Sequence, residues 1–154
     1  MIEYIQITTD AAYQAAALLF KEYAQWLDID LGFQNFSEEL LQLKKMYGPP
    51  AGGIILAKNE NDFVGSVAIR KIDTETAELK RMYVKPSSQK QGIGNRLVEE
   101  AILLAKKCGY KKIQLDTLNT MQPAIKLYKQ YGFYEIPAYY YNPEKTAVYF
   151  EMIL

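Results

Sequence analysis

Two glycines one residue apart open a long amphipathic segment of the chain. The stretch from Gln89 to Gly94 reads QKQGIG, and apolar residues follow it at helical spacing. Glycine costs a helix about 1 kcal/mol relative to alanine, so a pair in a first turn indicates a close approach to the backbone. Because a helix N-terminus presents free N–H groups and a positive dipole end, the pattern favours an anion, first of all a phosphate.

The two most familiar phosphate motifs do not fit this stretch. A P-loop needs a lysine and a hydroxyl residue after its second glycine, and GIGNRL has neither in those places. A dinucleotide fingerprint needs a third glycine, but Leu97 stands at that position. An ordinary structural turn remains an alternative for the glycine pair.

Composition removes several classes of chemistry. The chain has 18 basic and 18 acidic residues without a long run of one sign, which predicts neither a nucleic-acid nor a membrane partner. It has no histidine and one cysteine, so we expect no metal, and zinc hydrolysis and histidine-activated nucleophiles are close to excluded. Cys108, near a helix end, is interpreted as an inert, buried thiol. The N-terminal stretch MIEYIQITTD lacks the features of a leader peptide, which predicts a cytoplasmic protein.

Length and hydrophobic content predict one domain over residues 1–154. In the first half, IEYIQI is a strand, Asp10 caps a helix, and Ser37 caps a second helix. GGIILAK, DFVGSVAIRKI and TAELKRMYVK follow as strands of an antiparallel meander. These elements precede the glycine pair and must hold it at one end of a sheet.

In the second half, segments with the helical spacing of apolar residues alternate with segments typical of strands. A helix after Pro86 ends at Gly109, KKIQLDTL is a strand, and a helix closed by Gly132 leads to the strands FYEI and TAVYFEMIL. The predicted fold is therefore α+β (mixed α/β). A mixed, mostly antiparallel sheet of about seven strands is flanked by about four helices, in the order β-α-α-β-β-β-α-β-α-β-β, with a right-handed crossover.

Two motifs in this order resemble those of a known family. QKQGIG matches Gln/Arg-x-x-Gly-x-Gly/Ala, and LYKQYGF, from Leu127 to Phe133, matches Leu-Tyr-x-x-x-Gly-Phe, both without gaps. Together with the order of elements they resemble the GNAT superfamily of N-acetyltransferases, in particular its small, single-domain, bacterial-type members. The resemblance covers most of the chain and is weakest in the loop between Asp28 and Phe36.

The resemblance implies acetyl-coenzyme A (acetyl-CoA) as the acetyl donor. Its pyrophosphate would lie across the amides of Gln91, Gly92, Ile93, Gly94 and Asn95, as the free N–H groups of a helix start allow. In addition, Gln89 would contact the pyrophosphate or cap the loop, while Lys90 would add charge or remain a solvated surface residue.

The resemblance also implies that the strand before the glycines diverges from its neighbour. The main chain of Met82 and Val84 would then receive the pantetheine arm, and the Met82 amide would polarise the thioester carbonyl. Ordinary strand packing is the alternative for both residues. Asn119, just past the next strand, is expected to bind the cofactor, with turn formation as its alternative.

Tyr128 and Glu78 are the candidate catalytic residues. The resemblance makes Tyr128 the general acid that protonates the departing thiolate, whereas the apolar stripe that contains it favours a core aromatic. Glu78 would act as the base through water, because an even spacing in a strand puts its side chain on the same face as Met82. A salt-bridged glutamate is the alternative, and a β-bulge between the two residues would break the parity.

The expected acceptor wall combines Phe33 and Gln34 from the first interhelical loop with Tyr139 and Tyr140 from the stretch YEIPAYYYNPEK. The predicted reaction is acetyl transfer to the primary amine of a small molecule, by direct attack in a ternary complex. Two alternatives stay open: an acyl-CoA-binding regulatory module without turnover, and a protein or peptide N-acetyltransferase. The tyrosines also suit a dimer face, which leaves a homodimer open.

Overall fold

The computed structural model describes residues 1–154 apart from the side chain of Phe33. The first half contains β1 (Ile2–Gln6), α1 (Asp10–Leu27), α2 (Phe36–Leu41), α3 (Leu43–Tyr47), β2 (Gly53–Asn59), β3 (Asp62–Lys71) and β4 (Thr76–Val84). The second half contains α4 (Ile93–Lys107), β5 (Lys112–Leu118), α5 (Gln122–Gln130), β6 (Tyr134–Ile136) and β7 (Ala147–Ile153). Short 3-10 turns occupy Gly32–Gln34 and Pro86–Ser88.

The described strands form one sheet in the order β1-β2-β3-β4-β5-β7-β6. The β4–β5 pair is parallel and the other neighbours are antiparallel. A parallel pair requires a crossover, which α4 supplies. The predicted fold class, a mostly antiparallel mixed sheet of seven strands, is therefore confirmed.

Helices cover both faces of the sheet. On one face α4 and α5 pack on a cluster that includes Leu79, Leu97 and Ile113. On the other face α1 and α3 pack on a second cluster that includes Phe20 and Leu56. The fully buried sheet interior explains the nearly continuous apolar runs of β2 and β3.

Two predicted helix starts are wrong. Thr9, not Asp10, is the N-cap of α1, because its extended backbone lets the hydroxyl accept the Ala12 N–H at 3.2 Å. The helix expected from Ser37 is two short helices, and Asn35 precedes the first in a left-handed conformation (φ 56°). Gln42, with a φ of −131°, separates α2 from α3.

None of the helices in the described chain is both long and apolar enough to cross a membrane.

β4 and β5 diverge after a short parallel contact. Thr76–Glu78 pair with Lys112–Gln114, whereas β4 continues to Val84 and β5 to Leu118. Beyond Glu78 the β4 main chain therefore has no strand partner on its β5 side among the described residues. We call the opening between these strands the splay cleft.

A β-bulge lies in β4 at the start of this divergent part. Ser66 pairs with Tyr83 and Ala68 with Lys80, so three steps on β4 face two on β3. Arg81 takes up the extra residue with a φ of 58°, and Ser66 Oγ donates to its carbonyl at 2.8 Å. The bulge exchanges the faces of all later side chains in the strand.

Candidate functional site

A cavity lies between the N-terminus of α4, the end of β4 and the start of α5. We call it the α4 cavity; it is lined by Trp26, Met82, Tyr83, Val84, Ser88, Gln89, Lys90, Gly92, Ile93, Gly94, Asn95, Thr120, Met121, Pro123, Ala124 and Leu127. Its lining is mostly apolar, while the helix start contributes backbone N–H groups. That combination suits a ligand with an apolar arm and an anionic group.

The two glycines fulfil different requirements at this helix start. Gly92 is the N-cap with a φ of 81°, a left-handed conformation that favours glycine, and no described side chain caps the helix. A Cβ at Gly94 would meet Leu127, Met82 and Val84 at 3.7–3.8 Å, so this position accepts a small side chain without strain. Its main chain is thus open to the α4 cavity.

The loop before α4 is closed by Gln89, whose side-chain amide donates to the Val84 carbonyl at 3.0 Å. This bond ties the end of β4 to the helix start and corresponds to the capping role expected for Gln89. Lys90 has a φ of 65° and is exposed next to the cavity.

The splay cleft continues from the α4 cavity, since Met82, Met121 and Ala124 line both. Its interior volume is about 60 Å³, which becomes about 710 Å³ when the open solvent at its mouth is included. Its other lining residues are Tyr23, Leu27, Ile29, Leu31, Gln34, Leu79, Lys80, Arg81, Asp116, Thr117, Leu118, Tyr128, Asn142 and Glu144. One groove therefore leads from the helix N-terminus into a polar chamber.

Tyr128 is positioned by α5 with its ring in the core and its hydroxyl toward the splay cleft. The side chain is 5% exposed, and its ring packs against Phe133 with centroids 5.6 Å apart. Its hydroxyl makes no hydrogen bond to the described residues, and burial, with a smaller contribution from Tyr23 and Asp116, raises its pKa above the ordinary value. The phenol therefore keeps its proton at neutral pH, and no acceptor among the described residues holds that proton.

A chain of hydrogen bonds crosses the polar end of the splay cleft. Lys80 Nζ donates to Gln34 Oε1 at 3.2 Å, and Gln34 Nε2 donates to the Tyr140 hydroxyl at 2.8 Å. That hydroxyl donates in turn to Asp116 Oδ2, which also accepts from Asn142 Nδ2 at 3.0 Å. Burial, reinforced by the charge of Arg81, lowers the pKa of Lys80 to about 8.

Glu78 lines a neighbouring cavity, which shares Gln34 and Lys80 with the splay cleft. Its Oε1 accepts from Arg70 Nε at 2.8 Å, and its Oε2 accepts from the Tyr139 hydroxyl at 2.6 Å. We call this the Glu78 cavity; it is lined by Gln34, Asn35, Glu38, Glu39, Gln42, Met46, Arg70, Ile72, Glu78, Lys80, Tyr139 and Tyr140. The parity argument for Glu78 and Met82 is wrong, because the bulge at Arg81 turns their side chains to opposite faces.

Arg81 is held by a fully buried ion pair. Its guanidinium donates two bonds to the carboxylate of Glu39 in α2, at 2.8 and 2.7 Å, and Phe36 packs 5.1 Å from it. The Arg81 and Glu39 side chains are 4% and 1% exposed. Burial alone would raise the pKa of Glu39, but the hydrogen bonds and charge of Arg81 outweigh it and lower that pKa below its ordinary value. The pair fixes the bulge against α2.

Most of the predicted site residues line one of three cavities, and a few lie elsewhere. Met82, Val84, Gln89, Lys90, Gly92, Ile93, Gly94 and Asn95 line the α4 cavity, whereas Gln91 and Asn119 are exposed outside its lining. Asn119 instead donates its main-chain N–H to the Thr146 carbonyl at 2.8 Å. Tyr128 lines the splay cleft, Glu78, Tyr139 and Tyr140 line the Glu78 cavity, and Gln34 lines both. Phe33 lies outside the described side chains.

Several polar residues of the site are absent from the sequence prediction. These are Asp116, Lys80, Arg81, Arg70 and Glu39. The available signal was charge within strands, in QLDTL and in ELKR, since ionised side chains are rarely buried without a function or a partner. The described residues form no group of three or more His, Cys, Asp or Glu side chains that could hold a metal ion.

Comparison with known proteins identifies relatives across most of the chain. Residues 14–133 match the model of the acetyltransferase (GNAT) family. An uncharacterized N-acetyltransferase of Schizosaccharomyces pombe is 39% identical over 137 residues, covering 88% of this chain and 84% of the relative. An IAA acetyltransferase of Azospirillum brasilense is 32% identical over 118 residues, covering 75% and 76%.

Solved structures share the fold at lower identity. An acetyltransferase from Streptococcus agalactiae superposes with a TM-score of 0.81 at 24% identity, covering 99% of this chain and 98% of its own. A GNAT acetyltransferase from Elizabethkingia anophelis with acetyl-CoA bound has a TM-score of 0.65 at 23% identity, covering 99% and 98%.

Proposed function

The chain belongs to the acetyltransferase (GNAT) family, and on that premise we propose that it moves the acetyl group of acetyl-CoA to the primary amine of a small molecule, by direct attack in a ternary complex. The observation that carries the proposal is the continuity of the α4 cavity with the splay cleft through Met82, Met121 and Ala124. A donor and an acceptor can meet in that groove without a covalent enzyme intermediate.

The donor half of the groove supports acetyl-CoA. The uncapped N–H groups of Ile93, Gly94 and Asn95 would hold the pyrophosphate at the positive end of the α4 dipole. The apolar side of the α4 cavity suits the pantetheine arm, and the unpaired edge of β4 offers main-chain groups to its amides. The Met82 amide is the proposed donor to the thioester carbonyl.

The acceptor half supports an amine. The amine attacks the acetyl carbon, the carbon–sulfur bond breaks, and the departing sulfur needs a proton. Tyr128 is the proposed acid, because it lines the cleft and its hydroxyl has no hydrogen-bond partner among the described residues. Direct attack is favoured because Cys108, at the far end of α4, lines neither cavity.

Acetyl-CoA binding is tested at Gly94, whose Cβ position makes only ordinary van der Waals contacts. We expect Gly94→Glu to weaken binding by about tenfold or more, equivalent to about 1.4 kcal/mol, because the side chain would bring a negative charge into the α4 cavity, close to the N–H groups proposed for the pyrophosphate. Trp26, the single tryptophan, lines the α4 cavity, so its fluorescence reports binding alongside calorimetry. Gly94→Gln is the matched control for size without charge. Equal affinities of the two variants would contradict the pyrophosphate assignment.

Turnover separates the proposed reaction from its two alternatives. Thiol release is measured with acetyl-CoA and a panel of small amines and of peptides. Release with amines supports the proposal, and faster release with peptides favours a peptide N-acetyltransferase. Tight acetyl-CoA binding without release in either panel favours a regulatory module.

A further inference from the structure

Asp116 is a carboxylate in the splay cleft that has no cationic partner. It lies within β5, partly buried, and its Oδ2 is oriented by the Tyr140 hydroxyl and the Asn142 amide. Among the described residues no lysine or arginine forms an ion pair with it. A half-buried carboxylate with two donors on one oxygen, no donor on the other among the described residues and no ion pair is suited to a cationic ligand.

The protein's own cations near the cleft are committed elsewhere. Lys80 Nζ donates to Gln34 Oε1 and lies 3.9 Å from Glu78 Oε1. Arg81 makes both of its short bonds to Glu39. Neither of them neutralises Asp116, which leaves its charge available to a cationic ligand.

A second observation places the reacting end of that ligand. Tyr128 is 5% exposed, lines the same cleft, and its hydroxyl has no hydrogen-bond partner among the described residues. Met82, the proposed oxyanion donor, lines the cleft as well. The unpaired carboxylate thus lies in the chamber where the proposed function brings acetyl donor and amine together.

We propose that Asp116 binds the ammonium group of the acceptor and takes its proton, so that the splay cleft selects amines that arrive as cations. The inference rests on the proposed function and adds the charge class of the acceptor and the residue that recognises it. Glu78, the base predicted from the sequence, is the weaker candidate, because Arg70 and Tyr139 already occupy both of its oxygens.

The proton balance of the reaction is closed. The ammonium gives one proton to Asp116, and the neutral nitrogen forms a bond to the acetyl carbon while the carbon–sulfur bond breaks. Tyr128 protonates the sulfur and recovers a proton from the nitrogen as the amide forms. Asp116 then returns its proton to water, so one proton is released for each acetyl group transferred.

The test compares two small amines that differ in charge. Ethylamine is an ammonium ion at pH near neutral, whereas 2,2,2-trifluoroethylamine of nearly the same shape is uncharged there. We expect Asp116→Asn to lower kcat/KM for ethylamine by about 10- to 100-fold, the range of a lost charged hydrogen bond, and for trifluoroethylamine by less than about threefold. Because the variant is compared with wild type for each amine separately, the difference in nucleophilicity between the two amines cancels.

Three accompanying measurements make the result specific. Glu135→Gln, an exposed carboxylate without a partner among the described residues, is the matched control and should leave both probes unchanged. Asp116→Glu keeps the charge and should recover part of the ethylamine activity. The pH profile of Asp116→Asn with ethylamine should approach that of wild type at high pH, where the amine is already neutral.

The outcomes separate this inference from the proposed function. Equal losses with both probes, no loss, or a selective loss in Glu78→Gln instead would overturn the role of Asp116. A wild-type protein that acetylates other amines yet neither probe would overturn it too. If acetyl-CoA does not bind, or binds without any amine being acetylated, the proposed function fails instead. Should Asp116→Asn melt at a lower temperature, Asp116→Glu carries the test, since it must impair ethylamine more than trifluoroethylamine.

Discussion

Tyr128 combines a packing role and a proposed chemical role in one side chain. Its ring belongs to the apolar stripe of α5 and contacts Phe133, as the spacing predicts. Its hydroxyl ends at the splay cleft without a partner among the described residues. Core packing and acid catalysis are therefore compatible here, because the ring and the hydroxyl lie in different surroundings.

Tyr128→Phe removes only the hydroxyl and tests the acid role. We expect kcat to fall by about 100-fold, within the range of general acid catalysis. Stability and acetyl-CoA affinity should change little, since the ring contacts remain. Steady-state kinetics of thiol release and thermal melting measure both effects. The control is Tyr134→Phe, because Tyr134 is exposed and lies outside the α4 cavity and the splay cleft. A fully active Tyr128→Phe would assign Tyr128 to the core alone.

Lys80 predicts a pH dependence of stability. Its pKa is lowered from 10.5 to about 8 in the folded chain, first by burial and then by Arg81. Between these values the unfolded chain binds more protons, so the free energy of unfolding should rise as pH increases from about 8 to 10.5. Below this window the cost of the buried charge is fully present.

Lys80→Met should remove this rise. Urea unfolding at about pH 7 and about pH 9.5 measures the free energy of unfolding of wild type and variant. Between the two pH values that free energy should increase more for wild type than for the variant. Lys71→Met, at an exposed lysine of β3, is the matched control and should follow wild type. A pH-independent difference for Lys80→Met would contradict the lowered pKa.

At the scale of elements, the bulge in β4 determines which side chains enter the cleft. It turns Met82 toward the α4 side of the sheet while Glu78 and Lys80 face the opposite side. Two contacts hold it: the Ser66 hydroxyl on the Arg81 carbonyl and the Glu39 carboxylate of α2 on the Arg81 guanidinium. The short helix α2 therefore holds β4 through a buried ion pair as well as through apolar contacts.

Glu39→Gln tests that support. Breaking a buried pair from one side leaves Arg81 charged without compensation, so we expect a loss of about 3 kcal/mol in the free energy of unfolding. Chemical denaturation measures it, and acetyl-CoA affinity should fall as well if the bulge shifts. Glu38→Gln, at the exposed neighbouring position, should stay within about 0.5 kcal/mol of wild type. Similar stabilities of the two variants would show that the pair does not anchor the bulge.

At the scale of the whole molecule, the two parts of the sheet meet over a short ladder. β4 and β5 share pairs at Thr76–Glu78 with Lys112–Gln114, and beyond them the groove separates the strands. A ligand in the groove would contact both parts at once. Binding should therefore stabilise the region where the sheet itself provides the fewest hydrogen bonds.

Acetyl-CoA should raise the thermal unfolding midpoint and slow amide exchange around the groove. At an acetyl-CoA concentration 100 times the dissociation constant, the free energy of unfolding should increase by about 2.7 kcal/mol. Hydrogen exchange read by mass spectrometry should show new protection in residues 79–84 and 115–118, with little change in β1. Gly94→Glu with the same ligand is the control. Protection confined to the start of α4 would mean that the ligand does not reach the cleft.

Much of the fold and part of the site could be predicted from local patterns. The strands, α4, α5 and the mostly antiparallel sheet follow from periodicity, and the family follows from QKQGIG and LYKQYGF. The N-cap residues Thr9 and Asn35 could not be predicted in this way. Several neighbouring residues are suitable N-caps, and the local backbone conformation determines which of them takes that position. Domain count, oligomeric state, cellular location and the role of each site residue stay predictions.

The sequence alone determined the helix N-terminus that faces the groove, because the glycine pair, the tyrosine of α5 and their spacing are local features. Only the tertiary structure decided which acid faces the splay cleft. A single bulge at Arg81 reverses the faces of β4, so Glu78 turns to Arg70 and Tyr139. The divergence of β5 then leaves Asp116 in the cleft. Both depend on pairing between strands distant in sequence, which no local pattern records.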